Sequence, residues 1–201
     1  MSPADALDAD AIRTALAGQL IGREIVVLEE TTSTNDVIAQ MAAEQREGLV
    51  VIAEEQSAGR GQYGRRWESA PGNGLWLSVL LRPQLAVADS AKLTDLLART
   101  IAAQIGPGAS IKPPNDVYLS GRKVAGVLVE MKVEPNGRYG AIAGMGINVN
   151  HTVEDFPPEL QETATSLALH CGQPVDRTMF AIALLRRLEA NYRSLGAQRH
   201  L

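Results

Sequence analysis

Three short segments carry residue types that chemistry needs. The first is Gly59-Arg60-Gly61-Gln62-Tyr63-Gly64-Arg65-Arg66, within a polar stretch over 56–74 that holds five glycines. Glycine permits positive φ and lets backbone approach a ligand closely. Arginine presents a planar fork of donors suited to phosphate or carboxylate. Such a loop can fold over an anionic, phosphate-bearing ligand, or it can be a solvated surface turn; both readings stand on this segment alone. It matches G-x-G-x-x-G literally, but the dinucleotide fingerprint needs a helix opening at its third glycine. Pro71 and Gly72 fall where that helix would run, and Gln84 and Leu85 stand where the ribose-binding acid belongs. There is no G-x-x-x-x-G-K-[ST], and the kinase companions H-R-D and D-F-G are missing.

The second segment is Lys112-Pro113-Pro114-Asn115-Asp116, followed by Gly121-Arg122-Lys123-Val124-Ala125-Gly126. Two prolines cannot continue a central strand, so Lys112 marks the exit from a strand into a turn. Asn115 and Asp116 are ordinary turn residues. The chain has only four lysines against fifteen arginines, and two of the four lie here. Lys123 opens an apolar strand, where packing alone favours a hydrophobe; a lysine there can set a point charge on a phosphate or carboxylate. The third segment is Gly144-Met145-Gly146-Ile147-Asn148-Val149-Asn150. Glycines inside a strand mark close approach or a bulge. An asparagine beside them can read a base edge or serve as a turn residue. His151, His170 and His200 lack metal-ligand spacing and Cys171 is the single cysteine, which argues against a zinc site. Cys171 reads as a packing residue.

The elements that must position these groups follow from periodicity. Residues 3–20 repeat apolar groups at helical spacing, closed by Gly18 and Gly22. Residues 24–29 read as a strand. Ser33 or Thr34 caps a helix through Val37, Ile38 and Met41 that stops near Gly48. Strands are expected over 49–53 and 75–81, with a loop over 56–74. Asp89 or Ser90 caps a helix with Leu93, Leu96, Leu97, Ile101 and Ile105 on one side. Residues 117–119 and 124–131 form a hairpin around Ser120-Gly121, and Pro135-Asn136-Gly137 turns the chain into a strand over 139–149. A helix over 178–195 turns Phe180, Leu184, Leu185, Leu188 and Tyr192 inward and ends at Gly196. Hairpin-linked strands with helices at intervals predict an α+β fold with a mixed, largely antiparallel central sheet flanked by helices.

Composition bounds the class of protein. The chain has 201 residues, 45% of them hydrophobic, with a formal charge of −4. One domain is expected, long enough to need no staple. A lone cysteine fits a reducing compartment. The start, MSPADALDAD, lacks the basic and apolar runs of a signal peptide, so a cytoplasmic protein is expected. The charge balance does not suggest a nucleic-acid protein held by its overall field.

Taken in order, these segments resemble the biotin protein ligase family. The likeness runs through Thr32-Ser33-Thr34-Asn35-Asp36, then Glu55-Gln56-Ser57-Ala58-Gly59-Arg60-Gly61 and Trp67. It continues through the Lys112–Asp116 and Lys123–Glu130 runs and Gly144–Asn150, so it spreads over roughly 24–195. The resemblance implies a class II tRNA synthetase-like fold, shared with lipoate ligases. It implies biotin activation by ATP to biotinyl-5′-adenylate, then transfer to a lysine of a biotin carboxyl carrier protein of a biotin-dependent carboxylase. By family position Arg60 and Lys123 are catalytic. Ser33, Thr34, Asn35, Gln56, Arg60, Gly61, Gln62, Lys123 and Gly126 would bind biotin. Gly59, Arg60, Gly61, Trp67, Lys112, Asn115, Asp116, Lys123 and Asn148 would bind ATP. Magnesium is implied with ATP, with no ligands assigned. The sequence departs from the family pattern at Pro113, usually Trp, and at Gln62, where many members carry Arg. The expected organisation is one catalytic domain over 1–201 with a short N-terminal helix, without a DNA-binding domain or C-terminal β-barrel. It would act as a monomer or homodimer, with no DNA or membrane partner. Two alternatives remain: lipoate or octanoate transfer on the same scaffold, and a paralogue that binds biotin or nucleotide without turnover.

Overall fold

A computed structural model describes residues 6–69, 71–84, 89–133 and 139–197. The turn expected at Pro135-Asn136-Gly137, and His200, lie outside the described residues. Seven strands form one sheet in the order β1-β2-β3-β7-β6-β5-β4. They are β1 (Glu24–Thr31), β2 (Leu49–Gln56), β3 (Gly74–Leu81), β4 (Ala109–Lys112), β5 (Asp116–Leu119), β6 (Arg122–Val133) and β7 (Tyr139–Asn148). Among the seven described strands, β1 and β2 alone pair with each other in parallel. Helix α2 (Thr34–Met41) makes the crossover that a parallel pair requires. The other pairings are antiparallel, so the α+β, largely antiparallel reading holds.

The sheet has two unequal faces. One is sealed by α1 (Ala9–Ala15), α3 (Ser90–Ile105) and α5 (Arg177–Ala197). Their apolar stripes meet Leu75, Leu77, Val79, Ala143 and Ile147 in the main core. The other face carries a smaller cluster, where Ile38 of α2 packs on Leu49, Val51, Leu80 and Ile142. Alpha2 covers only one end of that face. Beyond it, over β3, β7 and β6, the sheet is left to a cleft.

Several boundaries differ from the sequence expectation. Helix α1 is one core of the predicted 3–20 span: Asp8 caps it by accepting from the Asp10 and Ala11 amides, and Gly18 at φ 82 lies beyond its end. The last helix runs through Gly196 to Ala197. Strand β4 and the short α4 (Leu167–Cys171), capped by Ser166, have too few residues to show a period.

The two layers are tied by a buried ion pair. Arg177 at the start of α5 donates to Glu54 Oε2 on β2 at 2.7 Å and to the Gly74 carbonyl at 3.1 Å. Glu54 Oε1 accepts from the Leu7 amide at 2.8 Å. Removing one partner of such a pair strands the other charge away from water. Arg177→Ala is therefore expected to destabilise the fold by about 3–5 kcal/mol. Glu54→Gln combined with Arg177→Met should cost less than that single change. Urea denaturation of the three proteins checks both statements.

Candidate functional site

The cleft encloses about 280 Å³. Its floor is the bare backbone of facing glycines. Gly126 on β6 and Gly146 on β7 are direct partners in the ladder. A Cβ on Gly126 would stand 2.8 Å from the Trp67 ring, and one on Gly146 would stand 2.7 Å from the same indole. A Cβ on Gly144 would collide with Asn35 Oδ1. The close approach signalled by these glycines is made by the chain's own side chains. The ladder through them is regular, so no bulge lies there.

Trp67 is backed by a run of rings. It meets Trp76 edge-on at 6.3 Å, Trp76 meets His151 at 5.8 Å, and His151 stacks on Phe156 at 5.0 Å. Above the indole lies Lys123 Nζ, 5.1 Å from its centroid. Lys123 also pairs with Asp116 Oδ1 at 2.7 Å. Residues 123 and 126 would face opposite sides of a strictly alternating strand. The β5–β6 register shifts: Val117 opposes Ala125 whereas Tyr118 opposes Lys123. That bulge leaves Val124 as the extra residue and brings Lys123 to the same side as Gly126.

One wall is a directed chain of hydrogen bonds. Gln56 Oε1 accepts from the Thr34 amide at 2.9 Å, and Gln56 Nε2 donates to Ser69 Oγ at 3.0 Å. Ser78 gives its single hydroxyl proton to Asn35 Oδ1 at 2.5 Å. In the 2.7 Å contact between Thr34 and Ser78, Thr34 is then the donor, which leaves no hydroxyl proton for its longer 3.2 Å contact with Gln56 Oε1. Asn35 Nδ2 donates to Glu130 Oε2 at 2.6 Å. A carboxylate only accepts, so Glu130 fixes which way the Asn35 amide points and hence the direction of the chain. Ser33 is the N-cap of α2, yet its hydroxyl makes no capping bond. It is buried and lines the cleft.

The glycine-rich stretch is a tight hairpin. Arg60 pairs with Arg66, Gly61 N–H donates to the Arg65 carbonyl and Trp67 N–H to the Gly59 carbonyl. Its tip is a 3-10 turn over Gln62–Gly64, with exposed Tyr63 at φ 59 and Gly64 at φ 73. The hairpin delivers Arg60 and Trp67 to the cleft together. Arg60 Nη1 donates to Asp36 Oδ2 at 2.7 Å and Nη2 to Glu130 Oε2 at 3.2 Å. These carboxylates, Asp36 first, raise the guanidinium pKa further above its already high value.

Ser33, Thr34, Asn35, Gln56, Arg60, Gly61, Gln62, Trp67, Lys112, Asn115, Asp116, Lys123 and Gly126 all line this one cleft. Gly59 and Asn148 do not. Gly59 packs against the Trp67 carbonyl and Ser69, and Asn148 is buried with its amide donating to the Thr165 carbonyl. Asn115 reaches the wall but clamps its own turn, donating to the Val127 carbonyl at 3.0 Å. Cys171 is exposed at the end of α4, which corrects the expectation that it packs inside. The sequence reading gave no role to Ser78, Glu130 or Tyr63. Glu130 lay inside a recognised run, Lys123–Glu130, and that was its only signal. Among the described residues no three His, Cys, Asp or Glu side chains cluster to hold a metal ion. No described helix is long and apolar enough to cross a membrane.

The structure is thus a mixed sheet with helices sealing one face and, on the other, a cleft that holds Arg60 and Lys123. The chain belongs to the biotin/lipoate A/B protein ligase family, whose model matches residues 27–148. It is 37% identical over 187 residues to the bifunctional ligase/repressor BirA of Bacillus spizizenii, covering 90% of this chain and 58% of that protein. It is 36% identical over 198 residues to the biotin–[acetyl-CoA-carboxylase] ligase of Mycobacterium tuberculosis, covering 92% and 70%. It thus spans little more than half the length of the Bacillus relative. Among solved structures, it superposes on biotin protein ligase from Aquifex aeolicus in complex with biotin and ATP. That match has a TM-score of 0.76 and 29% identity over 88% of this chain and 73% of the other. The biotin protein ligase of Leishmania major in complex with biotinyl-5-AMP gives a TM-score of 0.71 and 25% identity, covering 86% and 76%.

His151, at the far end of the ring run, titrates abnormally. Burial lowers its pKa from 6.5 to about 4, against the opposing pull of Asp155. The unfolded chain therefore binds this proton more readily than the folded one. The stabilisation is complete above pH 6.5 and is lost as pH falls towards 4, by on the order of 3 kcal/mol. His151→Phe is expected to flatten this part of the acid limb, measured as unfolding free energy against pH.

Proposed function

We propose that this domain activates biotin with ATP and transfers it to a lysine of a carrier protein. The observation that carries the reading is the meeting, in one cleft, of a directed amide–hydroxyl wall with cations that include Arg60 and Lys123. A cyclic urea presents donor, acceptor and donor in one plane. Ser33, Thr34, Asn35 and Gln56 supply side chains that both donate and accept, so they suit such a ring. The apolar body of the ligand would lie against Trp67 over the glycine floor.

In the first half-reaction a carboxylate oxygen attacks the α-phosphorus of ATP and pyrophosphate leaves. Two anions must be brought together, so Arg60 and Lys123 offset their repulsion and the charge that develops at phosphorus. In the second, a carrier lysine amine attacks the acyl carbonyl, forming an amide and releasing AMP. Asp116 holds Lys123 and stands where it can orient that amine. No covalent enzyme intermediate is required; positioning and electrostatics carry the rate. The hairpin over 59–67 covers the cleft and would shield the acyl-adenylate from water. Magnesium fits as an ion carried in on the nucleotide phosphates, its common mode of binding.

Incubation with biotin, MgATP and a biotin carboxyl carrier domain should release pyrophosphate and label the carrier. Lipoate or octanoate accepted in preference to biotin would overturn the substrate assignment. Tight biotin binding without pyrophosphate release would overturn turnover. Lys123→Ala should lower adenylate formation by about a hundredfold or more. Glu130→Gln can donate to Asn35 Oδ1, which frees the amide to turn and breaks the direction of the wall. It should weaken biotin binding by about tenfold, the scale of one hydrogen bond to a charged group. Titration calorimetry reads that loss.

A further inference from the structure

Arg60 lines the cleft, but both of its terminal nitrogens already have partners. Nη1 is bonded to Asp36 and Nη2 to Glu130, and both carboxylates lie behind the cleft surface rather than lining it. The three groups together carry a formal charge of −1. Lys123 is likewise paired, with Asp116. Arg60 and Lys123 are thus neutralised from within the protein, although an anionic ligand needs them uncommitted. An arginine grips a carboxylate or phosphate best through two parallel N–H bonds from one edge. Here each terminal nitrogen already donates to a carboxylate.

The two carboxylates are not equivalent. Glu130 also holds Asn35, so it belongs to the wall's hydrogen-bond chain. Asp36 sits in the first turn of α2, where a helix favours negative charge by itself. It contributes nothing to the Gln56–Thr34–Ser78–Asn35 chain. Its side chain is 37% exposed and that of Arg60 is 36% exposed, so the pair can open without leaving a buried charge.

We propose that Asp36 is an internal counter-anion. It holds Arg60 and competes with a ligand oxyanion, carboxylate or phosphate, for the same guanidinium. Asp36 is a positioning residue in this scheme, acting through Arg60. The inference rests on the ligase reading and adds a tuning element to it. A ligand that binds only the released arginine has its affinity reduced by the held fraction. Exposed ion pairs are weak, typically 0.2–1 kcal/mol, which corresponds to a loss of about 1.4- to 5-fold. Removing the Asp36 charge should return that factor, because Glu130 still tethers Arg60 beside the cleft.

The test uses the whole chain, wild type and Asp36→Asn, with Asp36→Ser as a second variant. Calorimetric affinities are measured for biotin, for its neutral amide and for MgATP. Both variants should bind biotin or MgATP about two- to fivefold more tightly, with the neutral amide unchanged. The arm that gains identifies which oxyanion competes. The gain should shrink in 1 M salt, where charges are screened within about 3 Å. Equal or weaker binding of both anions, or an equal gain for the neutral amide, overturns the inference while leaving the ligase reading intact. Loss of a cooperative thermal transition in both variants also overturns it, since Asp36 would then be a folding requirement. A wild-type protein that binds neither biotin nor MgATP overturns the ligase reading and this inference together.

Discussion

The cleft depends on excluded volume. Three residues without a Cβ, Gly126, Gly144 and Gly146, leave room above the sheet that no other amino acid would leave. Trp67 fills two of these spaces and Asn35 fills the third. Everything else in the site is placed relative to those two side chains. The indole gives Lys123 a surface to lie on. Asn35 links Ser78 to Glu130, and through Glu130 reaches Arg60. A methyl group at any of the three glycines meets atoms that the fold has fixed from elsewhere, so adjustment in one place disturbs several partners.

Direction matters in this site as much as proximity. Hydroxyl and amide groups can donate or accept, and a wall built only from them has no preferred sense. A terminal carboxylate supplies the sense, because it cannot donate. The strand bulge at Val124 supplies direction of another kind, turning Lys123 to the glycine side. Both devices are small departures from regularity, and each decides where a charge or a proton points. The family relationship agrees with this arrangement: the segment matched, residues 27–148, contains the whole of the described cleft wall.

Much of the fold was legible because long elements repeat their apolar residues. Helices α3 and α5 and strands β2, β3 and β7 appear where periodicity places them. The cleft was legible through its motifs, which fall on one surface although they are scattered in the chain. The short β4 and α4 were not, since four or five residues do not complete a pattern, whereas the equally short β5 was marked by its Ser120-Gly121 turn. Nor were pairings such as Ser78 with Asn35 or Asn35 with Glu130, separated by 43 and 95 residues. Such contacts are fixed by packing, and no local spacing records them. Gly146 shows the limit well: the sequence says that something comes close, and only the fold says that it is Trp67. Cys171 fails for a different reason, because burial of a lone cysteine is a tendency of the residue type, and α4 turns this one outward.

The ion pair beneath α5 has a consequence for the order of assembly. Glu54 and Arg177 are 123 residues apart, so the acid leaves the ribosome long before its counter-charge exists. Strands β2 and β3 are made early, yet at that stage the acidic group on β2 has the Leu7 amide but no counter-charge. The sheet's inner layer therefore cannot close dry around Glu54 while translation is under way. Its last closing step waits for the final helix, so completion of this layer falls at the end of vectorial synthesis.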